Sequence, residues 1–375
     1  MRKSISTIIV FISTILLCLA GGELLLRMFI EPIDFLKPKI IDDEILSYRI
    51  AANSAHHDEW GFRNMRGVPE KADIVTIGDS QTYGDGAPAR WSWPSQLAKL
   101  SGKAVYNLSL GGYGPAQYLY LLREKAIQLH PSTIIIGFYA GNDFLNTYEI
   151  VYGNEYWKKY RNKAEEFAPL SLSTVEIIRR EDNTFVLGGA RSWLSQHFML
   201  YRMGTAAAEM MRRNIKKKEQ IWSRIFFLKG AGRDIDTGFK AKTRLQQMDY
   251  SEVKIQEGYR ITVEMLQEMQ DICRAKGIEL LILEIPSKES VYQEYLLENK
   301  HVPDSSLFKE IIEDEAKWKE KLAEFFTERG INYVDALDDM RKVLSKERIF
   351  HNNYNDHPNS AGYRILAESV LNRLK

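Results

Sequence analysis

Ala72-Asp73-Ile74-Val75-Thr76-Ile77-Gly78-Asp79-Ser80-Gln81-Thr82-Tyr83-Gly84 is a short apolar, β-branched run that stops at a glycine-flanked turn. Such a run, without polar alternation, reads as a strand covered on both faces, as in a parallel sheet. A serine just past the carboxyl end of such a strand sits where open α/β sheets place their ligands, and the flanking glycines allow the tight turn that exposes it. Ser80 is therefore a candidate nucleophile. The G-x-S-x-G elbow is absent, because Thr82 stands where its second glycine would be. Ordinary turn chemistry is the competing reading of Gly-Asp-Ser on its own.

Outward from this stretch the pattern alternates. Residues 72–77 read as a strand, 93–100 as a helix, 104–108 as a strand, 115–129 as a helix and 133–139 as a strongly β-branched strand. It resumes with a helix near 251–276, a strand at 279–285, a helix near 306–329, a strand at 332–334 and a closing helix at 360–374. Strands separated by helices imply a five-stranded parallel sheet with helices on both faces, one doubly wound α/β domain over 72–375. The stretch 144–250 lacks this alternation and reads as an insertion, a lid or cap beside the site. Within it Arg212, Arg213, Lys216, Lys217 and Lys218 precede Ile221-Trp222 and Ile225-Phe226-Phe227-Leu228. That is a solvated basic helix face beside a buried one, or a face for an anionic membrane surface.

At the N-terminus Arg2 and Lys3 precede residues 5–22, an uncharged run that as a helix would span about 27 Å, close to the hydrocarbon thickness of a bilayer. Residues 1–30 are expected to be an uncleaved transmembrane anchor, the alternative being a signal peptide cut after Ala20. The near flank is basic, whereas 31–44 carries Glu31, Asp34, Asp42, Asp43 and Glu44, which places the remainder outside the cytoplasm. Residues 31–71, with Pro32 and Pro38, read as an extended linker and lead-in. Across all 375 residues 45% are hydrophobic and 27% charged, enough for a full core and incompatible with global disorder. The 51 Lys+Arg nearly cancel the 50 Asp+Glu, which argues against a nucleic-acid partner. Two cysteines, Cys18 and Cys273, cannot build a disulfide framework or a Cys-based zinc site.

Three further stretches fall at the same predicted sheet edge: Asn107-Leu108-Ser109-Leu110-Gly111-Gly112-Tyr113-Gly114, then Tyr139-Ala140-Gly141-Asn142-Asp143, then Asp356-His357-Pro358-Asn359-Ser360-Ala361-Gly362-Tyr363 before the last helix. Acyl transfer through serine needs a base for the hydroxyl proton and donors for the oxyanion. These stretches supply both types of group. Weaker signals get blander readings. His56-His57-Asp58-Glu59 reads as a solvated or substrate-edge loop, since consecutive side chains rarely converge on one metal ion. Arg63 is expected in a packed lead-in or on an anionic substrate group, Trp91 and Trp93 as helix-start packing or a sugar surface, and Cys273 in the core.

With Gly78-Asp79-Ser80, Gly112, Gly141-Asn142-Asp143 and His357 in this order, the chain resembles the SGNH/GDSL hydrolases over roughly 58–144 and 251–375. The resemblance implies a flavodoxin-like three-layer sandwich, Ser80 as nucleophile and His357 as base. It also implies an oxyanion hole from the Ser80 and Gly112 N–H groups and the Asn142 amide, with no metal or organic cofactor. One departure stands out: the family's acid lies three residues before the histidine, and here that position is Tyr354. Asp356 is expected to take the role, with a backbone carbonyl or Asp335 as competitors. The expected activity is ester hydrolysis through an acyl-Ser80 intermediate, on an ester-bearing small molecule or carbohydrate such as an acetylated envelope polysaccharide. Ile285-Pro286-Ser287-Lys288-Glu289-Ser290-Val291-Tyr292 resembles a stretch of periplasmic alginate O-acetyltransferases and suggests acyl transfer to a sugar hydroxyl as the alternative. A non-catalytic envelope-binding module is the third reading.

Overall fold

The computed structural model describes residues 2–162, 188–216, 226–230, 233–298, 305–344 and 346–374. Five strands form the central sheet: β1 (Ile74–Gly78), β2 (Val105–Ser109), β3 (Thr133–Phe138), β4 (Glu279–Glu284) and β5 (Asn332–Asp335). Their order is β2-β1-β3-β4-β5 and every pairing is parallel, the flavodoxin-like arrangement. Gly78 is level with Ser109 on one side and with Gly137 on the other, so the first three strands release their chains at one edge. Every residue of β1 and β3 is buried, which is why both read as unbroken apolar runs.

Both faces are covered. On one, α3 (Trp93–Ser101) packs against the closing helix α8 (Ser360–Arg373). On the other lie α4 (Pro115–Glu124), α5 (Asp143–Gly153) and α6 (Val253–Ala275), with Trp318 of α7 (Ser305–Arg329) against Phe144 and Tyr259. The expected helix over 115–129 ends five residues early: Lys125 leaves helical geometry (φ −129°, ψ −57°), and 126–129 form a single 3₁₀ turn. Phe144 belongs to the domain core, its ring tilted against Phe138 and Trp318 and edge-on to Tyr259, so packing does not treat 144 as the start of a separate insertion. Cys273 is fully buried in the same core.

The lead-in is more ordered than an extended linker. A short helix, Pro32–Phe35, is followed by an antiparallel hairpin pairing Ile40–Asp43 with Ser47–Ile50. Ahead of it α1 (Arg2–Phe29) contains a segment, Ile5–Phe29, that is long and apolar enough to cross a membrane. Between α5 and α6 the described elements are a 3₁₀ helix, Glu155–Tyr160, two helices, Gly188–His197 and Met199–Lys216, a hairpin of Phe226–Gly230 with Arg233–Thr237, and the helix Ala241–Met248. Residues 217–225, with Lys217, Lys218 and Trp222 of the basic stretch, lie outside the described residues.

Candidate active site

Strand β1 delivers Asp79 and Ser80 into a four-residue helix, α2 (Ser80–Tyr83), closed by Gly84 at φ +89°. Asp79 caps it, its carboxylate accepting the Gln81 N–H at 2.8 Å, which leaves Ser80 half-buried on the first turn. Strand β2 leads into the turn Gly111-Gly112, with Gly112 at φ +80°, a conformation that a side chain would strain. The Tyr48 hydroxyl, from the lead-in hairpin, donates to the Gly111 carbonyl at 2.6 Å and braces this turn from behind. Strand β3 leads into Gly141-Asn142-Asp143. Asp143 is buried and accepts the Tyr139 N–H (2.9 Å) and the Tyr118 hydroxyl (2.8 Å), fixing the bend, while Asn142 Nδ2 donates to Asp79 Oδ2 at 3.3 Å.

The fourth component is the loop before α8. His357 Nε2 lies 2.8 Å from Ser80 Oγ. Its other ring nitrogen, Nδ1, is 2.7 Å from Asn355 Oδ1, and the same oxygen accepts the His357 backbone N–H at 3.1 Å. A backbone N–H can only donate, so the amide atom facing the ring is the oxygen, and Nδ1 must carry the proton. Nε2 is then left with its lone pair toward the Ser80 hydroxyl, the state a general base requires.

The acid positions differ from expectation. Asp356 does not hydrogen-bond the imidazole: the nearest approach to Nδ1 is 3.9 Å, and the carboxylate is held instead by Arg244 and, at 3.7 Å, by Lys240. Burial alone would raise the Asp356 pKa, but Arg244, His357 and Lys240 bring it below the usual aspartate value. Asp335, at the end of the outermost strand, pairs with Lys319 and caps the Leu337 N–H. Adjacent side chains diverge at Asp356-His357, whereas Asn355 folds back through a turn onto the N–H two residues on.

Three residues that the sequence reading did not assign to the site hold these loops. Arg244 is buried; its guanidinium donates to the Gly141 carbonyl and to Asp356 and lies over the Tyr139 ring, so one cation ties the Asn142 bend to the His357 loop. Lys288 is also buried and donates to three backbone carbonyls, Gly238 at 2.9 Å, Asn353 at 3.0 Å and Asn355 at 3.1 Å. Burial pushes this ammonium down to about 8, against the pull of Glu289 and Asp356. Tyr48 is the third. Lys288 lies within a stretch singled out from the sequence, but for a different reason; nothing local marked Arg244 or Tyr48. Behind Ser80, a Cβ on Gly86 would collide with the Pro358 carbonyl, so this loop lies directly against the histidine turn.

Other expectations resolve into packing. His57 and Asp58 are buried rather than solvated. His57 joins the Ser54 carbonyl to the Tyr83 hydroxyl, and burial takes its pKa down to about 4. Arg63 pairs with Asp34 at 2.6 Å and donates to the Gly84 and Ala87 carbonyls, so it supports the turn after Ser80. Trp93 is buried, while Trp91 is partly exposed and carries Lys99 over its ring. Among the described residues no cluster of three or more His, Cys, Asp or Glu has the arrangement of a metal site.

Asp79 itself is electrostatically costly. Burial raises its pKa to about 6, opposed by the Gln81 N–H, His357 and Asn142. The folded state therefore binds more protons than the unfolded one between about pH 4 and pH 6, and stability falls as pH rises through that window. Asp79→Asn is expected to remove this slope and to raise stability at pH 7 by up to about 3 kcal/mol. Denaturant unfolding at pH 4 and pH 7 checks it; an equal stability change at both pH values would contradict the assignment.

Fold and site together define a doubly wound α/β protein with a serine–histidine pair at the carboxyl edge of its sheet. No protein-family model matches the chain, and no curated protein matches it. Solved structures do. A phospholipase A1 from Streptomyces albidoflavus is 13% identical, with 81% of this chain and 99% of that one covered, at a TM-score of 0.43. A GDSL-like lipase from Bacteroides thetaiotaomicron is 12% identical, over 80% of this chain and 86% of that one, at 0.33. A catalytic mutant of an acetylxylan esterase from Geobacillus stearothermophilus is 11% identical, over 81% and 94%, at 0.36.

Proposed function

We propose that this protein is a serine esterase of the SGNH type, anchored by α1 with its catalytic domain outside the cytoplasm. The observation that carries the reading is the 2.8 Å contact between His357 Nε2 and Ser80 Oγ, with the tautomer set by Asn355. Ser80 Oγ attacks the ester carbonyl carbon as its proton passes to Nε2. The negative oxygen is taken by the Ser80 and Gly112 N–H groups and by Asn142 Nδ2, which in the free protein rests on Asp79. The tetrahedral adduct collapses as His357 returns the proton to the leaving alcohol. Water, deprotonated by the same nitrogen, then releases the acid from acyl-Ser80. These steps need no cofactor.

The substrate is a carboxylic ester, and an acetyl group on an envelope carbohydrate fits an extracytoplasmic location. Incubation of the full chain with a short-chain chromogenic ester should release the chromophore with an initial burst, and adding an acceptor polysaccharide should leave acyl on the sugar only if transfer competes with water. No release and no burst would overturn the esterase reading. Asn142→Ala is expected to lower kcat by on the order of 10²–10³ with KM little changed, because this donor acts in the transition state. Steady-state kinetics decide it, and an unaltered kcat would take Asn142 out of the oxyanion hole.

A further inference from the structure

The last turns of α1 are fastened to the catalytic domain. The Glu23 carboxylate accepts the backbone N–H groups of Met199 and Leu200, each at 3.0 Å, and so caps the helix Met199–Lys216. Arg27 reaches both Glu23 (2.9 Å) and the His197 carbonyl (2.6 Å). A small separate core of Leu36, Ala55 and Met199, flanked by Leu26 and Ile30, closes around the junction. Membrane helix and domain therefore meet through a packed joint.

At that joint the surface is unusual. Outside α1, no other three exposed large apolar side chains among the described residues fall within so short a stretch as Trp193, Phe198 and Met203 do. Trp193 stacks on His197 with centroids 4.9 Å apart and lies 5.5 Å from Phe198. Residues 5–22 already account for the bilayer's hydrocarbon, so Glu23 and Arg27 fall at its far interface. The exposed Leu24, Leu25, Met28 and Phe29 of α1 stand at the same level. Aromatic rings beside cationic and polar groups at this depth are the composition of a membrane-interface belt.

We infer that Trp193, Phe198 and Met203 form a second membrane contact, seated in the headgroup region of the bilayer that α1 crosses. This rests on reading α1 as a transmembrane anchor. Continuity with α1 selects the bilayer as occupant: a soluble partner covering the three side chains would leave the exposed end of α1 beside them uncovered. The seat also sets the attitude of the active site. Asp34, four residues after Ile30, holds Arg63 and through it the Gly84 carbonyl of the nucleophile turn. The catalytic edge is thus linked to the membrane joint by two side chains.

The test uses the full chain in phosphatidylcholine–phosphatidylglycerol vesicles, with Cys18→Ala and a nitroxide attached to one introduced cysteine. Met203→Cys reports on the seat, Leu17→Cys on the anchor, and Val253→Cys on the aqueous surface. Power saturation compares collisions with oxygen, which partitions into lipid, and with a water-soluble nickel chelate. The expected result is a preference for oxygen at 17 and at 203, and for nickel at 253. Position 203 matching 253 while 17 stays in lipid would overturn the seat and leave the anchor standing. Nickel preference at 17 as well would remove the anchor and the seat with it.

Discussion

Ser80→Ala is expected to abolish ester turnover, lowering kcat by on the order of 10⁴–10⁶, and to end covalent labelling by a fluorophosphonate. The fold should remain. The hydroxyl makes one short hydrogen bond, to His357, and a long one of 3.4 Å to Asp79, and its backbone already sits in the first turn of α2, where alanine is comfortable. The change in stability should be about 1 kcal/mol or less, in line with one part-buried hydrogen bond. Labelling that persists at the parent rate would place the nucleophile elsewhere.

The second large effect concerns the residue beneath the imidazole. Asn355→Leu removes the acceptor for both Nδ1–H and the His357 N–H, so the ring loses its tautomer and its orientation together. A cost of up to about 10⁴ in kcat is expected, the size associated with a base held in the wrong tautomer. Asn355→Asp keeps the acceptor and adds a negative charge, so the acidic limb of the kcat/KM profile should move to higher pH. Asp356→Asn should stay within about tenfold of the parent in kcat, because its carboxylate faces Arg244, although stability will fall as that buried cation loses a partner. Profiles for the three variants decide between the two residues. A severe loss in Asp356→Asn with a mild one in Asn355→Leu would return Asp356 to the orienting role.

Why Asn355 escaped the sequence reading is physical. An acid three residues before the histidine is a spacing, and spacing is visible in a sequence; an amide that turns back to bond the N–H two residues along depends on the local turn. Arg244 and Lys288 were hidden for a different reason. Each acts on carbonyl groups far away in the chain, Arg244 on Gly141 and Lys288 on Asn353 and Asn355, and no local pattern announces such a partner. The sheet, by contrast, was legible because parallel strands covered on both faces must be apolar throughout. The five strands sit within about two residues of their expected bounds. The lead-in hairpin was not, since its two four-residue strands are acidic or half-exposed and carry no continuous apolar signal.

The Asp34 carboxylate decides where this protein can be cut. It accepts from Arg63 and from the Ala89 N–H at 2.7 Å, so the peptide joining helix to domain works as a gusset behind the Ser80 turn. A protease acting after Ala20 would free a chain that still carries the gusset. Scission a few residues beyond Asp34 would release a domain in which Arg63 has lost its carboxylate partner and the Ala89 N–H its acceptor. Release of the chain from α1 and support of the Ser80 turn are therefore separable events, and the dividing line runs through a stretch that composition alone would class as a tether.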